Sequence, residues 1–375
     1  MWPRPHRIWL GEMCALLGIG FVALGLSCVH TAPSMAPSLR SEEATVLPPP
    51  AQGMALRHAA VRVGVLQSVG DAPFVIGVEQ GFYLEEGIDL QMVPFDSAAR
   101  MISPLGSGQL DVGQGAISAG VFNAIARGVA IKAVAGAASS PPGHGNIAYV
   151  VRQDLEEQIR TPADLRGRRV GISARGITVE TELVELLRHG SLTLADIELV
   201  ELNFGDQVAA LSNRAIDLAS ITEPTTTLAV DRGLGKVWVR SDEIIPYHQI
   251  AVLWYSPDFT KQLDVAQRFM VAALRAIRIY NDAFFKSDPR AREIAIAALI
   301  KHTPVKDPSL YNRMTFQGYD PDGRINRESI ARDQEYFLAA GLQQVALDLD
   351  QLIDARFAEH AVQVLGPYQR ARGIE

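Results

Sequence analysis

The first clear pattern of apolar positions is Val61 to Leu66, VRVGVL, a short run with three valines that suits a strand buried in a parallel sheet. Gln67, Ser68, Val69, Gly70 and Asp71 follow as a polar turn, after which Asp71 can cap a helix whose first turn holds Pro73. Gly81 or Gly87 can end that helix, and IDLQMVPF, residues 88–95, is a second strand. A helix over 98–105, a strand over 110–115 closing in a glycine loop, a helix over 117–127 and a strand over 129–136 continue the alternation. A β-α-β run with such short connections predicts an α/β sheet. AASSPPGHGN then interrupts it.

The pattern begins again at Ile147 to Val151, an apolar strand. A short capped helix over 162–165, a strand over 169–172, a glycine turn and a helix from Val179 follow. Strands over 197–202, 216–221 and 237–240 then alternate with helices over 207–213 and 225–232. Ile250 to Tyr255, IAVLWY, is a further apolar strand. Beyond it, 265–285, 290–301, 326–340 and 350–364 carry apolar residues at the three and four spacing of amphipathic helices. The strands at 147 and 250 bracket a complete α/β unit, so both are expected to be crossovers. Lobe one is then 60–147 plus 252–375, and lobe two is 148–251. One internal echo accompanies this division. LGSGQLDVGQG, 105–115, and LSNRAIDLASI, 211–221, repeat a leucine, a polar turn, an apolar residue and an aspartate at matching spacing.

Composition adds limits. The chain has 375 residues, 48% of them hydrophobic, enough for two domains and a large core. Its 35 basic and 42 acidic side chains leave a net charge of −7 with no long basic run, which argues against nucleic acid as a partner. Cys14 and Cys28 are the only cysteines, so the folded body can hold neither a disulfide framework nor a cysteine-ligated metal. The eight histidines are scattered without an HExxH pattern, and no metal or cofactor is expected.

The N-terminus reads as an export signal over residues 1–28: Arg4 and Arg7, then an apolar run from Met13 to Leu26. That run is short of the roughly 20 residues of a membrane span. Leu24-Gly25-Leu26-Ser27-Cys28 resembles a bacterial lipoprotein cleavage box, although Gly25 and Leu26 stand where the box has leucine and a small residue. The resemblance implies lipidation of Cys28. Residues 29–60, rich in Pro, Ala and Ser, bury too little to order themselves and read as a tether. The body is therefore expected outside the cytoplasm, anchored to the membrane by lipid or free in the periplasm.

Three segments together carry a family resemblance: APFVIGVEQGFYLEEGIDLQMVPF (72–95), LGSGQLDVGQGAIS (105–118) and TPADLRGRRVGISARG (161–176). In this order they resemble the type II periplasmic substrate-binding proteins of ABC importers, in the branch serving nitrate, alkanesulfonates, taurine and thiamine-pyrimidine precursors. The resemblance implies an α/β fold of two lobes, each a central sheet flanked by helices, with two crossover strands as hinge. It also implies a monomer that captures a small solute, with the permease and ATPase on other chains. A eukaryotic thiamine-pyrimidine synthase shares this fold, but its resemblance implies a cysteine-rich iron-binding motif that the body lacks. A binding protein is therefore expected rather than an enzyme. An extracytoplasmic sensor is the alternative of another class.

Candidate ligand contacts follow from the loops at the carboxyl ends of strands. Ser68 and Asp71 could offer a hydroxyl and a carboxylate. Gly115, Ala116, Ile117 and Ser118 would let a ligand approach backbone N–H groups. Ser139 sits in the interrupting loop. Arg175, Gly176 and Thr178 lie where the resemblance implies an anionic or polar group is bound. Glu223 could accept hydrogen bonds from a ring N–H, amino or hydroxyl group. Phe74 and Tyr247 could stack on a flat ring, whereas Trp254, in an apolar run, belongs to the core. This set predicts a ring-containing solute such as a thiamine pyrimidine or riboflavin, with alkanesulfonate, taurine or nitrate as the alternative.

Overall fold

The computed structural model describes residues 58–95 and 97–369, so Cys28, the signal and nearly all of the tether lie outside the described residues. Strand β1 (Ala59–Val65) pairs in parallel with β2 (Ile88–Pro94) and β3 (Val112–Ala116). Strand β4 (Lys132–Gly136) joins this sheet through β12 (Ala251–Tyr255), which runs antiparallel to both β3 and β4. The order is β2-β1-β3-β12-β4. The next chain segment makes a second sheet of β6 (Ala148–Arg152), β7 (Arg169–Ile172), β8 (Glu198–Glu201), β9 (Leu218–Ile221) and β10 (Gly235–Arg240). Its order is β10-β6-β9-β7-β8, with β6 antiparallel to its neighbours. The fold is the expected mixed α/β architecture of sheets flanked by helices.

The two sheets follow one plan. In each, the strand that enters after the chain changes sheets, β12 or β6, lies antiparallel in the fourth place. The same ion pair recurs as well. Asp111 accepts from Arg62 N (2.8 Å), Nε (2.9 Å) and Nη2 (2.8 Å). Asp217 accepts from Arg169 N (2.9 Å), Nε (3.3 Å) and Nη2 (2.8 Å). In both cases an aspartate after a helix and turn ties down the arginine of an Arg-Val-Gly step in the strand. The glycine of each strand is needed for packing. A Cβ at Gly64 would stand 2.8 Å from Met101 Sδ, and one at Gly171 would stand 2.9 Å from Gln207 Oε1 and Ile216 Cδ1.

Helices flank the sheets because the inner strands β6, β9 and β12 are buried along their whole length. On the first sheet, α1 (Ala72–Glu79) packs against the long helix Leu263–Phe284, which brings Phe269 against Tyr83, Tyr255 and Phe259. On the opposite face, Phe122 and Phe337 meet edge to face above the buried Trp254. The expected last helix over 350–364 is in fact two, Leu349–Leu352 and Arg356–Leu365. Ile353 between them is extended and bridges Ala133 of β4, so added sheet pairing wins over helical continuity there.

Strands at 147 and 250 were expected to be the crossovers, but β6 and β12 are inner strands. The crossing itself is a two-residue ribbon, β5 (Ser139–Ser140) paired antiparallel with β11 (His248–Gln249). His248 pins this ribbon. Its Nδ1 lies 2.8 Å from Glu182 of the helix Thr178–His189, and its Nε2 lies 3.0 Å from Asp333 of the helix Arg327–Ala339. All three side chains are fully buried.

Candidate functional site

The loop after β1 is built by its own side chains. Ser68 caps the short turn 69–71 and accepts from Gly70 N at 3.2 Å. Asp71 does not cap α1; its carboxylate turns back to accept from Leu66 N (3.0 Å) and Ser68 N (2.9 Å). Burial pushes this carboxyl up to about 6, against the opposing pull of those N–H groups. Behind the loop, Gln114 Nε2 donates to Gly70 O at 3.1 Å, and the Tyr319 hydroxyl donates to the same carbonyl.

The two sheets touch at the starts of two helices. Ser118 caps the helix Ala119–Ala126 by accepting from Val121 N at 3.2 Å. Ala119 N donates across the seam to Gly176 O at 2.9 Å, and Ser118 forms an isolated bridge with Ile177. Gly176 has φ +69, a backbone conformation that favours glycine, and a Cβ there would just touch Ala119 Cβ at 3.4 Å. Arg175 stands beside this contact with its side chain 44% exposed; its Nε donates to the fully buried Glu180 at 2.6 Å. Glu180 also accepts from Gly176 N, so a buried carboxylate sets the turn that presents the guanidinium.

Farther along the seam, Glu223 is a cross-sheet latch. Its Oε2 accepts from Thr227 N (3.1 Å) and Thr227 Oγ1 (2.7 Å), while Oε1 accepts from Thr315 N (3.2 Å) in the C-terminal segment. Outside it, Arg313 Nη2 meets Asp231 Oδ2 at 2.8 Å.

Measured against the expected contacts, Ser68, Ala116, Ser118 and Arg175 remain accessible at or beside the seam, whereas Gly176 is buried in it. Several others differ. Phe74 is 1% exposed and packs in the core against the sheet rather than facing a ligand. Ile117 is fully buried in the opposite core layer, and Thr178 is 3% exposed. Gly115 is an interior strand residue whose carbonyl accepts from Trp254 Nε1 at 3.3 Å; a Cβ there would strike that nitrogen. Glu223 is 5% exposed and already accepts three hydrogen bonds from Thr227 and Thr315. Ser139 and Tyr247 lie together at the crossover ribbon, where they line a cavity of about 140 Å³. None of Ser68, Ser118, Arg175 and Glu223 lines that cavity.

Sequence patterning missed the contribution of residues 313–320. Thr315 and Tyr319 enter the seam from a stretch between helices, and its only local signal is Gly318 set between Phe316 and Tyr319. Gly318 adds a third strand-like edge to the ribbon by exchanging hydrogen bonds with Ser139 at 2.8 and 2.9 Å.

The arrangement has known counterparts. The alkanesulfonate-binding protein SsuA from Xanthomonas axonopodis pv. citri, solved bound to MOPS, is 17% identical with a TM-score of 0.62, over 79% of this chain and 98% of that one. The periplasmic nitrate-binding protein NrtA from Synechocystis PCC 6803 is 15% identical with a TM-score of 0.63, over 82% and 89%. The desulfurization enzyme DSZB is 17% identical with a TM-score of 0.60, over 82% and 100%. The fold is therefore that of the type II periplasmic binding proteins, and it is shared by an enzyme. No curated protein sequence matches significantly. The family described as NMT1/THI5 like matches residues 70–282, more than half of the chain. This chain belongs to the NMT1/THI5-like family.

Proposed function

We propose that the chain is an extracytoplasmic solute-binding protein that clamps a small solute between lobe one, 60–147 plus 252–375, and lobe two, 148–251, and passes it to an ABC importer. The observation that carries this is the seam itself. Loops at the carboxyl ends of strands from both sheets meet there through the Ala119–Gly176 and Glu223–Thr315 hydrogen bonds. A signal over 1–28, a tether over 29–60 and lipidation at Cys28 would hold the body at the membrane.

His248, whose pKa is raised to about 10, is sealed from solvent between two carboxylates and cannot touch a solute.

The accessible polar groups at the seam are donors. Ser68 and Ser118 each accept from a backbone N–H, which leaves their hydroxyl protons to give, and Arg175 offers its guanidinium. Donors recognise oxygen acceptors, so an organic sulfonate or carboxylate fits better than the ring-containing vitamin or precursor. The vitamin argument rests on Glu223 and on the absence of a basic cluster, and Glu223 already accepts three hydrogen bonds.

A thermal-shift screen over sulfonates, carboxylates, nitrate, thiamine pyrimidines and flavins tests this. A true solute at 100 times its dissociation constant adds about 2.7 kcal/mol of stability. Arg175→Ala is expected to weaken sulfonate binding by about 1.5–3 kcal/mol, the range for a hydrogen bond to a charged group. Stabilisation by flavins or pyrimidines alone would restore the vitamin assignment; no stabilisation by any class would remove the importer role. Glu223→Ala frees Thr315 N and should lower solute affinity about tenfold, through lost closure rather than lost contact, at a cost of about 1.4 kcal/mol.

A further inference from the structure

The cavity at the crossover ribbon shares Tyr319 with the seam but is lined by none of Ser68, Ser118, Arg175 and Glu223. Ser139 and Tyr247 form the ribbon side, while Phe285, Lys286 and the C-terminal Tyr368 form the other. Its volume of about 140 Å³ matches a cavity that holds one benzene ring, about 150 Å³. Four aromatic side chains, Tyr247, Phe285, Tyr319 and Tyr368, and two prolines, Pro141 and Pro321, give it flat apolar walls. Tyr247 is held in the left-handed region at φ +59 and keeps 46% of its surface exposed. That backbone is disfavoured for a bulky residue, and here it is fixed by Tyr247 N donating to Ser140 O at 2.8 Å and Tyr247 O accepting from Asn326 Nδ2 at 2.9 Å.

Lys286 lines the cavity, and Arg278, bonded to Asp322, lies 5.9 Å from the centroid of the same Tyr368 ring. Lys286 Nζ lies 4.0 Å from the Tyr368 ring centroid and 2.9 Å from Asp282 Oδ1. The Tyr368 hydroxyl donates to the same Asp282 oxygen at 2.7 Å, so the carboxylate is shared and the ammonium, with three protons, can serve a further acceptor. Asp320 is the acidic group on the same wall. Its Oδ1 already accepts from Asp322 N (2.9 Å) and Arg324 N (3.1 Å).

We propose that this cavity is a second small-molecule site, which takes a single aromatic ring bearing a carboxylate, with the ring among Tyr247, Phe285 and Tyr368 and the anion on Lys286. The inference does not depend on the solute assigned to the seam. Benzoate is the probe, titrated by calorimetry into the full chain, with benzylamine as the cationic counterpart. Benzoate is expected to bind, and Lys286→Met to weaken it about tenfold or more, as for loss of a charge-assisted hydrogen bond. Tyr247→Asn should weaken it similarly, because asparagine tolerates the left-handed backbone while removing the ring. Arg175→Ala should leave it unchanged. No benzoate binding, benzylamine binding as tightly, affinity insensitive to Lys286→Met and Tyr247→Asn, or loss of binding with Arg175→Ala would each overturn the proposal.

Discussion

His248→Gln is expected to lower the free energy of unfolding by about 3–5 kcal/mol, the range for removing one partner from a buried ion pair. The imidazole sits between Glu182 and Asp333 with no solvent contact, so its loss leaves two buried carboxylates facing an uncharged amide. Asp242 and the Tyr149 hydroxyl also act on Glu182, and neither supplies a replacement cation. The pH dependence fixes the sign. Burial alone would depress His248, but Asp333 and Glu182 outweigh it and raise its pKa from 6.5 to about 10. A folded value above the unfolded one means the histidine's contribution is complete below 6.5 and is lost as pH rises through about 10. Denaturant titrations of both proteins across that window should show their difference shrinking toward the alkaline end. A difference that is constant with pH would mean His248 contributes packing and no charge.

Asp217→Ala should produce the next largest loss, about 3 kcal/mol, at the lower end of the buried-pair range because Arg169 is a third exposed. Asp217 holds Arg169 through three donors and Arg152 Nη1 at 2.8 Å, so its removal leaves Arg169 without its carboxylate and Arg152 with Asp154 alone. The equivalent Asp111 holds Arg62 alone, with the arginine 40% exposed, so Asp111→Ala should cost about 1.5 kcal/mol. Comparing the two variants by chemical unfolding measures how unequally the repeated pair is used. Burial opposes ionisation of Asp217, yet Arg169 prevails and holds the carboxyl below its ordinary 3.8. Its contribution is therefore present above 3.8 and fades as pH falls through the folded value, so the Asp217→Ala deficit should narrow in acid.

The order of strands and helices was legible in the chain because alternation between short apolar runs and amphipathic stretches is a local property. So was the repeated aspartate at 111 and 217, since each lobe needs the same turn between helix and strand. The glycine at 176 could likewise be found from the turn it makes.

What local pattern cannot carry is which face of an element meets which partner. Phe74 and Glu223 have the residue types of ligand contacts, but the long helix covers Phe74 and Thr315, 92 positions beyond Glu223, consumes its carboxylate. The crossover ribbon is two residues on each side, too short to leave a period, and it exists only because β5 and β11 meet after a separation of more than a hundred residues. His248 finds its two carboxylates 66 residues upstream and 85 downstream. The sequence by itself determined the elements and their family, while tertiary packing decided which polar groups stayed free at the seam, because burial and hydrogen-bond partnership are settled by distant segments arriving together.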